Sequence, residues 1–201
     1  MLTALPDSPT ARAAADLAAE AAPADLLNHS YRTYLFGRCL VTSNDIDHEA
    51  AFVAAMIHDL GLTERHRGPA QFADVGAELA CRFLEGRGWD LNRIHLVEQA
   101  ILRHTNLPAE HEPVYRLIQA GAAVDVAGLG HGEIEIEDLS EILTAFPRLD
   151  FAARMRHRFL HEADAHPGGA FADLERTVAL SERFATNPID RLTDISAVFP
   201  A

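Results

Sequence analysis

A chain of 201 residues, 48% hydrophobic and 23% charged, has the length and balance of one globular domain with a single core. Its formal net charge of −13 repels a phosphate backbone and an anionic bilayer, so a small-molecule substrate is the expected partner, with no nucleic acid and no membrane. Cys39 and Cys81 lie in helical patterns without CxxC spacing, and no signal-peptide or membrane-spanning run is present, so a reduced, cytoplasmic protein is expected.

Apolar residues recur at three- and four-residue spacings nearly throughout, which predicts an all-α fold. Ser8-Pro9 opens a first helix, and the alanine-rich ARAAADLAAEAA carries it to about residue 22. A second helix runs from Ala24 through LLNHSYRTYLFGRCLV; it holds His29 and, three residues on, Arg32 on the same face. The third is capped by Asp45 or Asp47 and runs to a stop at Gly61, which puts His58 and Asp59 in its last turn. After the turn-forming TERHRGPAQ come two amphipathic helices, VGAELACRFLEGRG and RIHLVEQAILRH, the second ending at His104. Pro113 opens VYRLIQAGAAVDVAGLG, whose small centre (Gly121, Ala122, Ala123, Ala127, Gly128) admits close approach of a helix or a ligand. Asp125 sits in that stretch between Val124 and Val126. GEIEIED reads as a helix entry; EDLSEILTAFPR, DFAARMRHRFLHEA and FADLERTVALSERFA complete a single helical bundle over 1–201, with a loose tail after Pro188. The core is expected over about 24–160, with helices 8–22 and 171–186 packed on it.

The pair His58-Asp59 ends the apolar run AAFVAAMI, where an ionised carboxylate is expensive unless positive charge compensates it. Asp125 poses the same problem among its apolar and small neighbours. A bound cation is the simplest compensation, and His29, His58, Asp59 and Asp125 form a nitrogen and oxygen donor set suited to Zn, Fe or Mn. Such an ion activates water near neutral pH and polarises a substrate.

The order H…HD…D, written here as His29, His58-Asp59 and Asp125, is similar to the HD-domain superfamily of metal-dependent hydrolases, an all-helical fold. LLNHSYRTYLFG, AAMIHDLGLTERHRGPAQF, AELACRFLEGRG, EQAILRHTN, GAAVDVAG and EDLSEILTAFPRLDFAARM look like its cyanamide-hydratase-like branch, from about Ser8 to Arg156. The resemblance implies one divalent ion, Zn or Fe with Mn as a third option, on His29, His58, Asp59 and Asp125. It also implies Asn28 and Thr63 at the substrate pocket and addition of water across a carbon–nitrogen triple bond. In that chemistry Asp59 is a candidate proton shuttle and His104 a candidate proton donor. The C-terminal part departs from the branch, with HEADAHPGGAF in place of a Lys-Pro stretch, so the pocket wall is expected to differ there.

Other readings of the same residues stay open at this level. Arg32 either clamps an anionic substrate, as a nucleotide or phosphate-ester hydrolase requires, or pairs with a carboxylate. His66 and Glu64 read as a solvated loop; were His66 and His104 both turned inward, six ligands would resemble the di-iron oxygenases of the superfamily. A metal-containing binding module without catalysis is the reading from another class, and several exposed leucines suit a homodimer. His48, His95, His111, His131, His157, His161 and His166 lie among charged or loop residues and are expected to face solvent.

Overall fold

The computed structural model describes residues 4–106 and 109–192. Among these the regular structure is helical, without a strand. The helices are α1 Pro9–Ala21, α2 Ala24–Leu40, α3 His48–Ile57, α4 Phe72–Glu85, α5 Leu91–Arg103, α6 Pro113–Ala127, α7 Ile136–Ala145, α8 Phe151–Ala165, α9 Ala170–Val178, α10 Leu180–Ala185 and α11 Ile189–Leu192. No helix among the described residues is long and apolar enough to cross a membrane. The loose tail expected after Pro188 begins with α11, and 193–201 lies outside the described residues.

α3 is the axis of the bundle. Every residue from Ala50 to Ile57 is buried, and α1, α2, α5 and α6 pack around it. Its start is tied to two neighbours. Asp47 accepts from the Ala50 N–H as N-cap and takes Arg93 of α5 through Nε at 2.7 Å. Arg93 also reaches Glu49 at 2.9 Å and lies 3.6 Å above the Trp89 ring centroid, while Glu49 accepts from Ser8, the N-cap of α1. Replacing Asp47 with Ala should lower the thermal midpoint by the equivalent of about 1–2 kcal/mol, the range for a lost cap. Burial would raise the Asp47 pKa, but Arg93 and the Ala50 N–H outweigh it and hold the carboxyl below its ordinary value. Its stabilisation is therefore full above that ordinary value and fades as the pH falls through the lowered one, which thermal melts of wild type and D47A across the acid range would read.

α2 and α6 cross at two glycines. A Cβ at Gly121 would stand 1.8 Å from the Thr33 carbonyl oxygen, and one at Gly37 would stand 2.3 Å from that of Leu117. Gly121→Ala gains about 1 kcal/mol of helix propensity but forces backbone apart, and overpacking costs typically 1–3 kcal/mol, so the balance is expected to be destabilising. A lower denaturation midpoint with unchanged helical circular dichroism would show it.

The C-terminal part closes over a second apolar cluster containing Leu26, Leu62, Phe72, Phe151, Phe159, Phe171 and Phe184. The single helix predicted over 171–186 is broken there. Ala179 takes a left-handed backbone (φ 47°) between α9 and α10, and Glu175 holds the break by accepting from both the N–H and the hydroxyl of Ser181. That conformation costs an alanine roughly 1–2 kcal/mol; the Glu175–Ser181 bonds and the burial of Phe184 offset it.

Candidate metal centre

The predicted helix through Gly61 stops earlier. α3 ends at Ile57, His58 is its C-cap, and Asp59 (φ −106°, ψ 7°) leads into a 3-10 turn over Leu60–Leu62. Adjacent residues on an α-helix project about 100° apart. The bend at Asp59 removes that divergence: His58 Nε2 and Asp59 Oδ2 are 3.4 Å apart. Gly61 allows the bend to be covered, because a Cβ there would stand 2.2 Å from the Phe72 carbonyl at the start of α4.

From α2, His29 brings its Nε2 to 3.3 Å from His58 Nε2 and 3.4 Å from Asp59 Oδ2. His29, His58 and Asp59 are buried and offer one ligand atom each, all within 4.8 Å of one another. Neither oxygen of Asp59 has a hydrogen-bond partner; the histidine contacts are close enough to act through charge but do not satisfy it. The outer nitrogens of the imidazoles are committed. His58 Nδ1–H donates to the Ala55 carbonyl at 2.8 Å, and His29 Nδ1–H to Asp125 Oδ2 at 2.7 Å. Once His29 gives up its Nε2 proton, both Nε2 lone pairs converge with the Asp59 carboxylate, an arrangement that a bound cation would relieve. A divalent ion fits this set, and two imidazoles with one carboxylate leave positions open for water and substrate.

His104, the C-cap of α5, faces the same space. Its Nδ1–H donates to the Ile101 carbonyl at 2.6 Å, its Nε2 lies 3.7 Å from Asp59 Oδ1, and its ring meets that of His58 edge-on. With Nδ1 carrying the hydrogen, Nε2 of the neutral ring is a lone pair. In that tautomer His104 Nε2 can take up a proton, after which the ring can donate it.

Burial and the neighbouring imidazoles push His58 down to about 3 and also depress His104, so both are neutral ligands or bases at neutral pH. Burial would lower His29 too, but Asp125 and Asp59 outweigh it and hold its pKa above the ordinary histidine value. For Asp59 and Asp125 burial acts upward and is overcome, by the surrounding histidines in the first case and by Arg32, Arg148 and His29 in the second. Both carboxylates are ionised.

Asp125, predicted as the fourth metal ligand, stands on the far side of His29 with its oxygens occupied. Oδ1 accepts from Arg32 Nε at 2.8 Å and from Arg148; Oδ2 accepts from Arg32 Nη2 at 2.8 Å and from His29. Its buried charge is compensated by two guanidiniums, and it touches the site through the His29 imidazole. Arg32 is corrected with it. Wholly buried, it also donates to the Phe146 and Pro147 carbonyls, so four of its five N–H hydrogens are engaged inside the protein; of the two roles open in the sequence, the carboxylate pair is the one formed. The Gly37–Gly121 crossing brings Arg32 and His29, one turn apart on α2, onto Asp125.

Arg148, between α7 and α8, went unnoticed in the sequence. It binds both the carboxylate and the backbone carbonyl of Asp125 and extends to Asp190. Phe151, three residues on, stacks on His29 with centroids 4.7 Å apart. Asn28 and Thr63, predicted at the substrate pocket, bond to backbone carbonyls: Asn28 Nδ2 donates to Pro147 O, far along the chain, and Thr63 Oγ1 to Leu60 O. Neither lines the cavity described next. His66 lies half-buried in its loop, outside the metal cluster.

His29, His58, Asp59 and His104 form one end of a cavity of about 450 Å³. α6 supplies one wall through Ala120, Ala123 and Ala127, and α8, α9 and α10 supply the opposite wall. The small stretch meets α2 closely at Gly121, as expected, and its alanines line the cavity.

The HD domain profile matches residues 26–150. The chain belongs to the HD domain family. Its HD domain holds His29, His58, Asp59 and His104 as well as the Asp125–Arg32–Arg148 network, while α8 to α11, including most of the apolar wall, follow it. The chain is also similar to cyanamide hydratases DDI2 and DDI3 of Saccharomyces cerevisiae, each 27% identical over 153 residues, covering 72% of this chain and 68% of the relative. Membership makes it a metal-dependent enzyme of the hydratase and hydrolase kind.

Proposed function

We propose that this HD-domain protein adds water to a small molecule bearing a carbon–nitrogen triple bond, with one divalent ion on His29, His58 and Asp59. The observation that carries the reading is the pair of buried, unpartnered Asp59 oxygens beside two inward-facing imidazole lone pairs at the end of a cavity. Zn, Fe or Mn held there supplies Lewis acidity and a water of lowered pKa. The chain's own groups do the rest. Asp125 fixes the His29 tautomer, and the Ala55 carbonyl fixes that of His58. His104 Nε2 accepts a proton from water as its oxygen bonds to the substrate carbon, and returns it to the substrate nitrogen; the Asp59 carboxylate, with Oδ1 3.7 Å away, favours the imidazolium formed in between. The imidic acid so formed then shifts its hydroxyl proton to nitrogen, so one water is consumed and the product is an amide, or urea when the substrate is cyanamide.

Arg32 weighs against the phosphate-ester reading. A phosphoryl group needs fixed cationic donors, and this guanidinium is consumed by Asp125. His66 weighs against the di-iron reading, since it stands outside the cluster. The test is metal-reconstituted protein assayed for urea from cyanamide beside phosphate release from a chromogenic ester. Urea formation that requires the added metal supports the reading; phosphate release alone overturns it. His104→Ala should retain its metal and lose turnover by about 10²–10⁴-fold, the span of a general base. Loss of the metal in that variant would move His104 into the ligand set.

A further inference from the structure

The space beside the metal centre is far larger than cyanamide, a carbon flanked by two nitrogens, requires. At about 450 Å³ it falls within the roughly 300–1,000 Å³ of sites that enclose drug-sized organic molecules. Its chemistry is as telling as its size. Met155, Phe159, Phe171, Leu174 and Phe184 face Ala123 and its alanine neighbours across it. Apart from the metal cluster, the buried polar side chain in the lining is Gln119, whose amide is spent on the Glu110 N–H at 2.8 Å and the Asn106 carbonyl at 2.6 Å. Charged groups in the lining, Arg116, Arg183 and Glu133, are exposed and of mixed sign, so they favour no ionised end group.

We infer that the molecule hydrated here is neutral and carries an apolar body, alkyl or aryl, attached to its carbon–nitrogen triple bond, the body lying between α6 and α8–α10 while the unsaturated group meets His58 and Asp59. This rests on the hydratase reading for the reacting group and on the cavity alone for the body. Thr105, Asn106 and the three charged groups are half-buried or exposed, so a polar body would surrender its hydration to the buried part of the wall for few partners, whereas an apolar one gains with each buried methylene.

The test is isothermal titration of the metal-loaded full chain with N-alkylcyanamides from methyl to hexyl and with benzylcyanamide, beside a hydration assay on the same compounds. Affinity should rise with each methylene toward a limit of about fourfold per group, equivalent to about 0.8 kcal/mol, with a negative heat-capacity change. Ala123→Phe should weaken the hexyl and benzyl compounds at least tenfold more than the methyl one, and Ala123→Leu should do so by less. Melting curves for both variants confirm that the fold is kept. Affinity that is flat along the series, or highest for cyanamide itself, overturns the inference while leaving the reaction intact. Affinity that rises along the series without hydration of any member sustains the apolar body and overturns the hydratase reading.

Discussion

Protein carrying His58→Ala is expected to purify with little metal and to lose hydratase turnover by about a thousandfold or more. The magnitude follows from the role: a Lewis-acidic ion contributes several kcal/mol of charge stabilisation, and each 1.36 kcal/mol is about tenfold in rate. His58 is the most exposing choice because its outer nitrogen is anchored by the Ala55 carbonyl and its Nε2 has no purpose in the folded chain except toward His29 and Asp59. Its imidazole is wholly buried, so truncation also lowers the melting midpoint through the cavity it leaves and the lost Ala55 bond. Asp59→Asn separates function from folding more cleanly. The amide keeps the volume and removes an ionised group that has no hydrogen-bond partner, so this variant should melt no lower than the metal-free wild type while binding metal poorly. Elemental analysis and melting curves on both variants check this; full metal content in His58→Ala and Asp59→Asn would show that the centre lies elsewhere.

Much of this site can be read from the chain because burial is readable. AAFVAAMI is apolar without interruption, so whatever closes it is buried, and His58-Asp59 then demands compensation. The same argument applied to Asp125 does not reveal the two guanidiniums that meet it. A buried carboxylate states that positive charge is near but not its source, and Arg148 supplies part of it from a loop 23 residues further on, in FPRLD, where no periodicity marks an arginine as inward-facing. Arg32 was closer to legible, since its i+3 relation to His29 aimed it correctly and only the choice between carboxylate and substrate was open. Two helix starts were readable, where Ser8 and Asp47 cap as their side chains allow. The stops were less readable: the bend at Asp59 and the break at Ala179 depend on what packs over them, Phe72 in one case and the Glu175–Ser181 bonds in the other. Asn28 and Thr63 were assigned by likeness to a family, and likeness does not reveal that a side chain has been spent on a neighbouring carbonyl.

Asp125 gives the second large effect, on stability first and metal second. Truncation to Ala leaves Arg32 and Arg148 buried without their shared carboxylate and frees His29 Nδ1. Removing one partner of a buried ion pair costs about 3–5 kcal/mol, which at roughly 2–4 °C per kcal/mol for a domain of this size lowers the melting midpoint by about 6–20 °C. The milder Asp125→Asn keeps the volume and one acceptor oxygen, and it distinguishes the two roles that a carboxylate can have beside a metal. As the group that orients His29, Asp125 contributes to affinity indirectly, so D125N should still reach the wild-type metal stoichiometry at saturation with affinity reduced about 10–100-fold. As a direct ligand it would take the stoichiometry with it. Because Arg32, Arg148 and His29 already fill both oxygens, the first outcome is expected, and a competitive chelator titration of D125N beside His29→Ala reads the difference.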